Sequence, residues 1–187
     1  SRATMGLIPG TATRTGQVWF QGQELLSMDK DAVRQLWGTG MAMIFQDPMT
    51  ALNPVRRIGA QLTESLTVRL KMDKKAARER AIELMKRVRI PDPEAMLRKF
   101  PYQLSGGMRQ RIMIAIAVSC NPELLFADEP TTALDVTVQA QVLELLDRLR
   151  RELSLSLLLI THDTNLAARC DRRVRLVDGQ VAEAVGA

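Results

Sequence analysis

The sequence has 187 residues, of which 46% are hydrophobic and 25% charged, enough for one ordinary domain with a real core and too apolar for a disordered chain. Its formal charge of +5 is spread over several segments with no aromatic interleaving. Solvated helix faces account for most of that charge, a nucleic-acid groove is not indicated, and no apolar stretch approaches the ~18 residues of a membrane helix.

The chain begins at Ser1 without a methionine, as a piece cut from the middle of an element would. No secretory leader is visible. Ala3 to Ile8 read as the last turns of a helix closed by Pro9-Gly10. Gly16 to Gly22 reads as a short strand between glycines, and Asp29 or Asp31 as the cap of a helix reaching Leu36. Met41 to Phe45 is an apolar strand that switches abruptly to Gln46-Asp47-Pro48. Beyond Asn53-Pro54 the pattern turns helical. Ala77, Ala81, Leu84 and Val88 recur at helical spacing, and Pro91 and Pro93 interrupt the run. A further helix spans about Met108 to Ser119, and Val138, Val142, Leu145 and Leu149 mark another. Leu155 to Ile160 is a strand ending at Thr161-His162-Asp163, and Asp178-Gly179 signals a hairpin between Val174–Val177 and Gln180–Glu183. Cys120 and Cys170, the only cysteines, have no metal-ligand spacing and read as free thiols of a reducing compartment.

The chain is organised around Leu124 to Asp135, where an apolar run ends in Asp128 and Glu129. A buried parallel strand reads this way, and ligands sit at its C-terminal end. One carboxylate can hold a hard cation such as Mg²⁺, and the other can orient or deprotonate a water. The plain alternative is an acidic turn closed by Pro130. Leu104-Ser105-Gly106-Gly107-Met108 precedes an amphipathic helix. Ser105 caps it, and two glycines let an anion approach the backbone N–H groups. An ordinary Ser-capped helix after a Gly-Gly turn has the same look. His162, the sole histidine, and Gln46 each follow an apolar strand, and each has a merely structural reading as a polar residue at a strand exit.

Taken together and in this order, these motifs make the chain resemble the nucleotide-binding subunit of ABC transporters. Leu104 to Met108 matches the LSGGQ-type signature, with Met108 in place of Gln. Leu124 to Glu129 matches Walker B and the catalytic glutamate. Thr132 to Asp135 matches the D-loop, Phe45 to Asp47 the Q-loop and His162 the switch histidine. The stretches Gln46 to Pro54, LSGGMRQR and ADEPTTALDVTVQAQ, with Met5 to Leu7, look like the ATPases of dipeptide, oligopeptide and nickel importers.

The resemblance implies an α/β fold: a P-loop NTPase-type core with a mainly parallel sheet over residues 1–47 and 119–187, and an inserted helical subdomain over 48–118. It implies an ATPase using ATP and Mg²⁺. Asp128 and Gln46 would hold the metal, and Glu129, His162 and Gln46 would act in catalysis. Ser105, Gly106, Gly107 and Asp135 would serve nucleotide held with a second ATPase subunit. Permease subunits and, indirectly, a solute-binding protein complete the implied assembly at the cytoplasmic face of the membrane, with no nucleic acid. The cargo is not legible. Two features depart from the pattern. No G-x-x-x-x-G-K-[ST] loop occurs in the 187 residues, so this chain alone is expected to turn over no ATP. Arg173, Arg175 and Asp178 are more polar than the family's usual strand and turn. Two other implied identities stay open: a degenerate partner subunit that lends only its signature, and a soluble ABC-type ATPase acting on nucleic acid.

Overall fold

The computed structural model describes residues 15–132, 134–178 and 180–186. The helical turns expected over Ala3–Ile8 lie outside them. The stretch between Gly16 and Gly22 holds the one short strand expected, and that strand is the first arm of a hairpin whose second arm lies beyond Gly22. β1 (Trp19–Phe20) turns back into antiparallel β2 (Gln23–Glu24) through Gln21 and Gly22, whose φ angles are 51° and 75°. Two successive left-handed residues give the tight turn whose twist suits a two-residue hairpin, and glycine takes its place there without steric cost. The carboxylate of Glu24 accepts from the backbone N–H groups of Val18, Leu26 and Ser27 at 2.7–3.1 Å. These bonds, that from Val18 above all, hold its pKa below the usual carboxylate value. α1 (Lys30–Gln35) starts where expected, with Asp29 accepting from the Ala32 N–H at 2.8 Å.

Three apolar runs form one parallel sheet: β3 (Met41–Ile44), β4 (Leu124–Asp128) and β5 (Ser156–Ile160), with β4 in the middle. Ile44 lies opposite Ala127, and Asp128 opposite Ile160. All four residues of β3 are buried, which is why the run reads as continuously apolar. Parallel strands finish on the same edge, so the segments that follow β3, β4 and β5 leave the sheet side by side.

Between β3 and β4 lie α2 (Pro48–Ala51), α3 (Ile58–Arg69), α4 (Lys74–Arg87), α5 (Pro93–Arg98), a 3-10 turn at Pro101–Gln103 and α6 (Gly106–Ala117). The spacing of Ala77, Ala81, Leu84 and Val88 does mark a buried stripe, which Met85 widens. Asp73 caps α4 by accepting from Lys75 and Ala76 N–H at 2.8 and 2.9 Å. Pro93 does not merely interrupt: it opens α5, where its missing N–H has no partner to lose.

α7 (Val136–Glu152) buries Val142, Leu145, Leu146 and Leu149, and its Arg148 donates to the Arg87 carbonyl at the end of α4. Arg111 of α6 donates to the next carbonyl, Val88, at 3.0 Å and to Gln141 at 2.8 Å. Carbonyls at a helix C-terminus lack intrahelical donors and carry partial negative charge, so two guanidiniums there satisfy and balance them. Burial, then the nearby Arg89 and Arg148, lower the pKa of Arg111, with Glu144 opposing.

α6 buries Gln110, Ile112, Met113, Ile114 and Ala115, residues on more than one face, because it touches α2, α3 and α4 as well as β3 and α7. One apolar cluster therefore runs from Ile44 through Leu62, Leu84 and Ile112 to Leu125 and Leu149. A smaller one, with Leu25, Met41, Met43 and Phe126, covers the other face of the sheet. The chain continues through α8 (Thr164–Ala167) into an exposed hairpin of β6 (Arg172–Val177) and β7 (Gln180–Gly186), longer than the expected pair. Cys120 is buried and Cys170 exposed, both as free thiols.

Candidate functional site

The site is built at the C-terminal edge of the parallel sheet. Asp128 is the last residue of β4. Glu129 extends the ladder by one bond, its N–H donating to the Ile160 carbonyl at 3.0 Å, and then leaves the strand with φ at 46°. That left-handed value is uncommon and costly for a residue with a β-carbon. Side chains alternate along a strand, so the kink is where the second carboxylate can be re-aimed independently of the first.

Two predicted residues converge on the Glu129 carboxylate. Gln46, two residues beyond β3, donates its Nε2 to Glu129 Oε2 at 2.9 Å. His162, two residues beyond β5, brings Nε2 to 2.5 Å from Glu129 Oε1. The imidazole is 91% exposed and the glutamate side chain 15%, so an accessible ring lies against a largely enclosed carboxylate. His162 is held in a short hydrogen-bonded turn: the Thr161 hydroxyl accepts from the Asp163 N–H at 3.0 Å, and Asp163 caps α8. A third contact was not anticipated. The Thr132 hydroxyl donates to Glu129 Oε2 at 2.9 Å.

The other predicted residues form a neighbouring group. Ser105 caps α6, its Oγ accepting from the Met108 N–H at 3.4 Å, and Gly106 and Gly107 are the first residues of that helix. Asp135 caps α7 by accepting from the Val138 N–H at 3.0 Å. The two helix starts abut. A β-carbon on Gly106 would lie 3.7 Å from Leu134 Cδ2, and one on Gly107 only 2.9 Å from Val138 Cγ1. Gln110, one turn into α6, ties this group to the carboxylate turn by donating to the Pro130 carbonyl at 2.5 Å. It is 1% exposed. In the sequence it stands between Arg109 and Arg111, so nothing there set it apart from an ordinary polar helix face.

Oxygen donors are what a hard cation needs, and Asp128 and Gln46 are the residues here that could supply them. Gln46 commits its nitrogen to Glu129, so its Oε1 is the atom offered to a metal. Among the described residues no group of three His, Cys, Asp or Glu side chains is placed to hold a metal by itself. Two protein oxygens suit Mg²⁺, which keeps several waters and is completed by substrate phosphates.

The ABC transporter family profile matches residues 3–132. The chain belongs to that family. It is 50% identical over 186 residues to the dipeptide transport ATP-binding protein DppD of Haemophilus influenzae, covering 98% of this chain and 56% of that protein. It is 46% identical, over 98% of this chain and 52% of the relative, to the oligopeptide transport ATP-binding protein OppD of Bacillus subtilis. The chain thus spans little more than half the length of these curated relatives. Its fold matches the ATP-binding cassette MJ0796, solved as a dimer in a post-hydrolysis state bound to ADP and Pi, with a TM-score of 0.81 and 28% identity over 92% of this chain and 73% of that one. The ABC ATPase fold expected from the motifs is therefore the fold observed.

Proposed function

We propose that the full-length protein is the ATP-hydrolysing subunit of an ABC importer for peptides, or for nickel and related small solutes. The observation that supports this most is the convergence of Gln46 and His162, from two flanking strands, on the largely enclosed carboxylate of Glu129. In this reading Glu129 orients and polarises the attacking water, and His162 contacts the terminal phosphate and helps balance its charge in the transition state. Mg²⁺, held by Asp128 and Gln46 with the nucleotide's phosphates, would neutralise charge on the transferred group. Gln46 also carries the signal between site and permease, because it sits on the segment that leads into α2.

Ser105, Gly106 and Gly107 serve nucleotide held by a second ATPase subunit, offering the first N–H groups of a 12-residue helix to its terminal phosphate. Asp135 acts across the same subunit contact. Residues 48–118 form a helical subdomain on the α/β core, with the permease received near Pro48 to Leu66. A shallow hollow lined by Phe45, Gln46, Asp47, Thr50 and Ala51 lies there. Among the described residues no helix is long and apolar enough to cross a membrane, which suits peripheral attachment at the cytoplasmic face through permease subunits. A solute-binding protein would deliver the cargo indirectly.

The test is Glu129→Gln in the full-length protein. Loss of at least a hundredfold in ATP turnover, with nucleotide binding retained, is the expected result. Unchanged turnover or transport would instead make this the degenerate partner of another ATPase.

A further inference from the structure

We infer that Thr132 is a positioning residue for Glu129, the fixed donor of a pair in which Gln46 is the removable one; this rests on the hydrolytic reading above. Glu129 Oε2 accepts two hydrogen bonds of equal length, 2.9 Å, from Thr132 and from Gln46. Their origins differ. Gln46 arrives from another strand, is exposed, and sits on the segment assigned to the permease signal. Thr132 belongs to the same turn as Glu129. Its N–H donates to the Glu129 carbonyl at 3.3 Å, and the Leu134 N–H donates to the Thr131 carbonyl at 3.1 Å. The turn is also pinned from below, where the buried Gln110 amide holds the Pro130 carbonyl. The hydroxyl therefore has little freedom to leave, whatever Gln46 does.

A glutamate side chain loses considerable rotamer freedom when it is held in one geometry, and a carboxylate already oriented does not incur that cost at the moment of reaction. Thr132 holds Oε2 and so keeps Oε1 turned toward His162 and the crevice. When Gln46 withdraws, the carboxylate keeps its aim. The left-handed backbone at Glu129, at φ 46°, is the strained element that this local bond helps to hold.

Thr132 is exposed, so Thr132→Val removes the hydroxyl at nearly constant shape without opening a cavity. In the full-length protein Thr132→Val should lower kcat for ATP about tenfold, the effect of one hydrogen bond to a charged group, with KM for ATP within about twofold of wild type. Thr132→Ser, which keeps the donor, should restore the rate. A second readout needs no turnover. A histidine-labelled full-length sample, with the His162 ring resonances assigned by their loss in His162→Gln, supplies it: these resonances should move in Thr132→Val and return in Thr132→Ser. A Thr132→Val protein with kcat within twofold of wild type, or with unmoved His162 resonances, overturns the assignment. If wild type itself hydrolyses no ATP, the hydrolytic reading has failed, and the His162 resonances alone decide whether Thr132 aims the carboxylate.

Discussion

Val138 Cγ1 stands 2.9 Å from where a β-carbon on Gly107 would lie, so α6 and α7 meet at a separation that only glycine permits. Valine is stiff about χ1 and cannot simply swing aside. Gly107→Ala should therefore force the two helix starts apart. The overpacking penalty, about 1–3 kcal/mol, exceeds the roughly 1 kcal/mol that alanine gains in helix propensity. Adding Val138→Ala should recover most of the loss. Urea denaturation of the two single variants and the double variant checks this, and simple additivity would show that the residues do not share the contact.

Gln110 carries a different kind of constraint. A buried amide in an apolar helix is tolerated when it is hydrogen-bonded, and here it satisfies the carbonyl next to Glu129. Gln110→Met preserves length and removes the donor. Leaving the Pro130 carbonyl buried and unpartnered should cost about 1–3 kcal/mol in denaturation experiments. A loss under about 0.5 kcal/mol would mean that the carbonyl finds another donor and that the turn is pinned by something else.

The parallel sheet was legible because two of its three strands are covered on both faces: Met41–Ile44 and Leu124–Ala127 have no polar alternation to confuse with anything else. The helices on either side were legible from their apolar stripes. What the one-dimensional pattern hid were features decided by backbone sign and by distant contacts. Gln21 and Gly22 both take positive φ and turn the chain back into a second strand, Gln23–Glu24, that the sequence reading did not include. Pro93 opens a helix rather than ending one, because Asp92 caps it. At the site, strand-end position marked Gln46, Asp128, Glu129 and His162 as candidates, each with a plain structural alternative, and their roles came from the family resemblance. The donation by Thr132 was not readable, since it depends on the left-handed exit at Glu129, which no residue type at that position announces.

Arg111 joins three helices by donating to the Val88 carbonyl and to Gln141 from α6. Arg111→Met keeps much of the stem packing and removes both bonds. The end of α4 should fray, with a loss of about 1–2 kcal/mol. Hydrogen exchange should show faster exchange at the Val88, Arg89 and Ile90 amides, which bond back into α4, than at those of α3. Arg111→Lys should rescue this only in part, because one ammonium does not reproduce the two-pronged contact. Equal exchange in wild type and Arg111→Met would remove Arg111 from the account of how α4 ends.

Asp147 and Glu24 should both make the fold acid-sensitive, but salt should tell them apart. The Arg151 hydrogen bond, then that of Arg150, lowers the pKa of Asp147 from 3.8, and the Val18 backbone bond leads in lowering that of Glu24 from 4.5. A depressed carboxylate pKa contributes stability that is present above the unfolded value and lost as pH falls through the lower folded value. Asp147→Asn and Glu24→Gln should therefore differ from wild type near neutral pH and converge with it at strongly acidic pH. The Asp147 partners are exposed guanidiniums, whose attraction is screened, so its difference should fade in about 1 M salt. Glu24 is held by backbone N–H groups in a fixed turn, and its difference should persist. Melting temperatures of both variants across pH, at low and high salt, make the comparison. If the Glu24→Gln difference also disappeared in salt, the Glu24 carboxylate would be acting as a mobile surface charge rather than as the clasp of the first hairpin.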